Sequence, residues 1–236
     1  MPATSFYNKA FERALSVATI LTLFGATACG ESFDEPSDDE VIFESSTYIR
    51  HFQALSPMCT IRVDGGGSIN VEEQYLPGVV ACENGNADFE ALKAQAIAAR
   101  TFLKYKVDIE GASSIRNSQR DQVSSCGRTP TEEHRRAVRE TSGQVITHNG
   151  NILAAFYVSG VRPSTSSCRP SSSDIARASS TDRTMEQRIT YNEGQSGASV
   201  RPAQRPMGFP GNPHNRGVMS QNGSSCLSMN GRDAHS

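Results

Sequence analysis

The chain has 236 residues and a formal charge of −2, with 25 acidic residues against 23 lysines and arginines. That length suits one domain plus short extras. The formal charge argues neither for nor against a polyanion partner; the arginines are scattered, neither clustered nor interleaved with aromatics, so no nucleic-acid partner is expected.

Lys9 and Arg13 precede an apolar core, Ala14–Phe24, of 11 residues. A membrane-spanning helix needs about 20 residues, so residues 1–28 read as an export signal. Ala26-Thr27-Ala28 gives the small-x-small cleavage pattern, and Cys29 follows at once. That order also suits a lipoprotein signal, with Cys29 lipidated and anchoring the chain to a membrane. Residues 29–49 carry Glu31, Asp34, Glu35, Asp38, Asp39, Glu40 and Glu44, with Pro36 among them. So little apolar surface cannot drive ordering, and the stretch reads as an acidic tether. The remainder, 50–236, reads as one domain.

Ile61–Val63 and Ser68–Val71 read as strands joined by Asp64-Gly65-Gly66-Gly67, whose glycines permit a hairpin turn. Glu72–Leu76 reads as one helical turn, stopped by Pro77 and Gly78. The apolar run Val79-Val80-Ala81 then delivers a lone carboxylate, Glu83, into a small polar loop. Asp88 is the N-cap of a helix predicted over 89–106. Its stripe, Phe89, Leu92, Ala96, Ala99 and Leu103, has the spacing of a buried face. Lys93, Ile97, Arg100 and Lys104 share another face, which on its own reads as solvated.

Thr131 caps a further helix over 131–141. Gln144–Thr147 and Ile152–Val158 read as two strands of a hairpin turned by His148-Asn149-Gly150. Arg162–Thr184, dominated by serine and threonine, and Asn192–Gly217 read as long loops. Helices alternating with hairpins give an α+β fold, with short strands around an alanine-rich helix and long loops in the C-terminal half.

Besides Cys29, the cysteines are Cys59, Cys82, Cys126, Cys168 and Cys226. No pair has zinc-finger spacing, so disulfides with one thiol left over are expected in an oxidising compartment. Their pairing stays open. No G-x-S-x-G is present, which removes that route to a serine hydrolase.

Two blocks, YLPGVVACE at 75–83 and EALKAQAIAART at 90–101, resemble the signature of the SpoIID/LytB family of stage II sporulation protein D and amidase-enhancer domains. The likeness continues through DQV at 121–123, AVRETSGQVITHNGNILAAFY at 137–157 and RGVMSQNGSSCLSMNG at 216–231. Three departures stand out. Ser124 replaces a tyrosine, Val158-Ser159-Gly160-Val161 replaces a histidine- and glycine-bearing stretch, and the sequence stops at Ser236 where relatives continue into a terminal helix. A shortened copy is the expectation.

The resemblance implies a SpoIID-like domain acting on peptidoglycan as a lytic transglycosylase, cutting between N-acetylmuramic acid and N-acetylglucosamine. Glu83 maps to its single catalytic glutamate. One carboxylate suffices, where ordinary glycosidases need two, because the muramic acid C6 hydroxyl serves as the nucleophile. No cofactor is called for. To donate a proton near neutral pH, Glu83 needs apolar shelter from Val79 and Val80. Arg100, Gln95, Ser159, Ser220 and Gln221 are the candidate sugar contacts. The alternative is a non-catalytic glycan-binding protein or an enhancer of a cell-wall amidase.

Overall fold

The computed structural model describes residues 51–52, 58–181, 199–205 and 207–236. The expected export signal, Cys29 and the expected tether lie outside the described residues. The fold is α+β, with three small sheets among the described residues set around helices. The hairpin of β2 (Thr60–Arg62) and β3 (Ser68–Asn70) forms as expected, antiparallel, with Gly65 at φ +77° in its turn.

The segment that follows departs from expectation. Val71–Tyr75 forms a π-helical turn, and the chain continues straight into α1, Leu76–Asn84. Pro77 does not stop the helix. It is the second residue of α1, at the junction with the π-helical turn, where the Leu76 N–H donates to the Val71 carbonyl and proline keeps a φ that suits a helix start. Glu83 therefore stands on the last turn of a helix and not in a loop.

The central helix α2, Phe89–Lys104, packs on α1, on α3 (Glu132–Glu140) and on α5 (Gln221–Met229). Asp88 occupies its N-cap position, although its side chain makes no capping bond. A π-helical turn, Tyr105–Ile109, extends its end. The predicted stripe joins Tyr75, Leu76, Val79, Val80 and Val138 in the core. Full burial of Leu92 and of Leu103 contributes about 2 kcal/mol each. Alanines let the neighbouring helices come close, so α2 is covered almost all round. The Lys93–Lys104 face is accordingly not the solvated one its charges suggested. Ile97 and Arg100 are buried, and Lys93 and Lys104 are ion-paired to Glu90 and Asp108.

Helix α3 starts at a reciprocal cap: Thr131 Oγ1 accepts from the His134 N–H, while His134 Nδ1 accepts from the Thr131 N–H at 2.9 Å. β4 (Ile146–His148) and β5 (Asn151–Ile152) form the expected hairpin, with Asn149 and Gly150 at positive φ. β4 also pairs with β1, His51–Phe52.

The second expected strand is shorter than predicted. After β5 the chain leaves the hairpin, and β6 (Phe156–Val158) pairs in parallel with β7, Val218–Ser220. Part of the expected 162–184 loop is helix α4, Ser172–Thr181. Ser171 and Asp174 cap it: the Asp174 N–H donates to Ser171 Oγ, and Asp174 Oδ2 accepts from the Ser171 N–H at 2.9 Å. Serine abundance at a helix start is thus a cap signal as well as a loop signal.

Two disulfides are described, Cys82–Cys126 and Cys168–Cys226. Cys59 is also disulfide-bonded, so the expected leftover thiol is absent from the described residues.

Candidate functional site

Glu83 lies one helical turn beyond Val79 and Val80, both fully buried, so the apolar wall beside its carboxyl belongs to its own helix. The side chain is half-buried, and Oε1 accepts the Val123 N–H at 2.9 Å. Burial pushes its pKa above the ordinary carboxylate value. The Val123 N–H and the amide of Gln221 pull the other way without cancelling that rise.

The Val123 loop is held against α1 at several points. A side chain at Gly78 would put Cβ 2.3 Å from the Ser124 carbonyl oxygen, so only glycine lets the loop lie this close. Cys82–Cys126 joins the residue before Glu83 to the far side of the loop. Arg128 Nη1 donates to the Ala81 carbonyl at 3.1 Å. Asn117 Oδ1 accepts from the Ser124 and Ser125 N–H groups at 2.8 and 3.0 Å.

The opposite side of the site comes from the distant C-terminal segment. The β6–β7 pairing sets Tyr157 beside Met219 and Val158 beside Ser220, which places Gln221, the first residue of α5, at the carboxyl. Ser220 caps α5, its Oγ accepting the Gly223 N–H at 2.9 Å. Gln221 Nε2 donates to Gln95 Oε1 at 3.3 Å. Ser159 contributes its carbonyl, which accepts from the Asn222 N–H at 2.8 Å and from Ser220 Oγ at 3.5 Å. Asn222 Nδ2 donates to the Gly160 carbonyl at 2.7 Å, closing the segment that departs from the family pattern.

Of the residues singled out in the sequence, Glu83, Gln95, Ser159, Ser220 and Gln221 are linked in this way. Arg100 is placed elsewhere. Its Nε and Nη2 donate to both Glu72 carboxylate oxygens at 2.7 Å, its Nη1 to the Gln144 carbonyl at 3.3 Å, and its Nη2 to the Val138 carbonyl at 3.1 Å. The guanidinium is only 4 % exposed and ties α2 to the π-helical turn and to α3. It is held as a structural strut and not turned toward a sugar.

Three residues at the site were not singled out. Tyr75 Oη donates to Gln122 Oε1 at 2.8 Å, and Gln122 Nε2 donates to the Ala99 carbonyl at 3.1 Å. The Tyr157 hydroxyl is buried although the residue as a whole is partly exposed, and it makes no hydrogen bond of good geometry among the described residues. Both phenols are pushed far up, first by burial, with the Glu83 charge adding to the rise. They remain neutral O–H groups at any working pH. Tyr75 and Tyr157 each stood inside a quoted motif, and that was the available signal.

The geometry offers one sheltered acid with a neutral amide and two neutral phenols around it. Such a group can give up a proton and take one back. Residues 68–148 match the model of the SpoIID family, Stage II sporulation protein. This is the family whose motifs the sequence resembles, and the match points to a cell-wall or sporulation-related function. The matched span holds Glu83, Gln95, Arg100 and Val123, and ends before Ser159, Ser220 and Gln221. No curated protein matches the chain.

Proposed function

We propose that this chain acts on peptidoglycan as a lytic transglycosylase, with Glu83 as the single acid and base. The observation that carries the reading is the half-buried Glu83 carboxyl, its proton affinity raised by burial, inside the stretch that matches SpoIID. Protonated Glu83 gives its proton to the glycosidic oxygen as the bond to the muramic acid C1 breaks. The C6 hydroxyl of that sugar then attacks C1, and the Glu83 carboxylate takes the hydroxyl proton. A 1,6-anhydro ring results, no water is added, and Glu83 ends as it began. The Val123 N–H and the Gln221 amide favour the carboxylate that exists between the two transfers.

Export to the cell envelope belongs to the same proposal, since the substrate lies outside the cytoplasm. The test is incubation of the purified protein with peptidoglycan, followed by chromatography of the soluble products. Anhydromuramyl fragments that vanish in Glu83→Gln support the reading. Sedimentation with peptidoglycan, no fragments and stimulation of a cell-wall amidase would replace it with a binding or enhancer role.

A further inference from the structure

We propose that Gln95 is a positioning residue whose amide oxygen fixes the Gln221 side chain with its N–H end, rather than its oxygen end, toward Glu83. The inference rests on the catalytic reading of Glu83 above and deepens it.

The two ends of a glutamine amide are almost equal in size and opposite in polarity. Facing a carboxylate, the nitrogen end attracts and the oxygen end repels. Packing alone cannot choose between them, so a partner must. Gln221 Nε2 donates to Gln95 Oε1 at 3.3 Å, and its second hydrogen is left for the carboxyl that this amide faces. Gln95 is fully buried on α2, flanked in sequence by Ala94 and Ala96, and its own Nε2 has no hydrogen-bond partner among the described residues.

An unpaired buried donor is a cost to folding, and an apolar side chain of equal length at this place would avoid it. Stability alone therefore does not call for an amide here. Among the described residues its oxygen has one partner, Gln221. In the reaction this matters after the first proton has left. The newly formed Glu83 carboxylate is then met by a donor already turned toward it, with no rearrangement.

Gln95→Met tests the proposal, because methionine nearly keeps the volume while removing both polar ends. The melting temperature is expected to stay within about 2 °C of wild type, since the lost 3.3 Å bond is offset by removal of the unpaired donor. The Glu83 carboxyl, followed by carbon NMR and assigned by its absence in Glu83→Gln, is expected to titrate at higher pH. The rate of anhydromuramyl release should fall at least about tenfold, with its alkaline limb moved up in step. In a Gln221→Met background the same substitution should move neither quantity, because the residue acts through Gln221.

An unchanged Glu83 titration in Gln95→Met overturns the proposal, as does a shift that persists without Gln221. A lowered melting temperature with an unmoved pH profile would also overturn it, by marking Gln95 as structural. If the wild-type chain releases no anhydromuramyl fragments, the catalytic reading fails by itself. The substrate-free titration still decides the Gln95–Gln221 pair.

Discussion

Replacing Arg100 by methionine separates a structural role from a catalytic one. The substitution keeps the aliphatic reach but removes a guanidinium that is 4 % exposed and bidentate to Glu72. Removing one partner of a buried pair costs about 3–5 kcal/mol, mostly because the remaining charge is stranded. The Glu72 side chain is 25 % exposed and can draw in water, so the lower figure of about 3 kcal/mol applies. The Gln144 carbonyl also loses the Arg100 donor, while the Val138 carbonyl keeps the Thr141 N–H. For a domain of this size each kcal/mol moves the melting temperature by about 2–4 °C, so a drop of about 6–12 °C is expected by circular dichroism. Glu72→Gln in the same chain should recover part of that loss, since it removes the stranded charge. An Arg100→Met protein that melts like wild type and yet fails to release product would refute the strut and return Arg100 to the substrate.

Three other outcomes follow from the same geometry. Because the folded-state pKa of Glu83 is raised, the stability tied to this group is fully present below the ordinary carboxylate value near 4.5 and is lost as pH rises through the folded-state value. Glu83→Gln should therefore melt above wild type at neutral pH, with the gap closing in acid; a gap that widens in acid contradicts the burial argument. Gly78→Ala puts a methyl group 2.3 Å from the Ser124 carbonyl oxygen, so the loop must move and carry the Val123 N–H off Glu83. That variant should lose activity far more than helix content, and wild-type turnover would contradict the close-approach reading. Replacing Cys82 and Cys126 together by serine opens a loop with a sequence separation of 44. Chain entropy sets the stability loss at roughly 4 kcal/mol or less, with activity falling as the Val123 loop loosens; full activity in the double variant would contradict a role for the disulfide in holding that loop.

What the sequence revealed was local. The glycine run between β2 and β3, the Asn149-Gly150 turn and the Thr131 cap each act within a few residues, and each formed as read. Glu83 was legible because it sits in a dense motif, but its helix was not. Pro77 has two opposite meanings, a stop inside a helix and a good residue in its first turn, and only the preceding π-helical turn decides between them. The rest depends on partners far apart in the chain. The parallel pairing of β6 with β7 joins residues about sixty positions apart, and without it nothing places Gln221 at Glu83. Arg100 looked like a surface or substrate cation because its acid, Glu72, lies 28 residues earlier on another element. The α4 helix was hidden in a serine-rich stretch because its cap, Ser171 with Asp174, uses the residues that also favour loops.

The most direct measurement is mass spectrometry of the fragments released from purified peptidoglycan by the wild-type chain and by Glu83→Gln, run side by side near neutral pH. Fragments ending in 1,6-anhydromuramic acid from the wild type, and none from the variant, are the predicted result. Equal release from both proteins, or fragments ending in a hydrated reducing sugar, would contradict a single sheltered glutamate as acid and base.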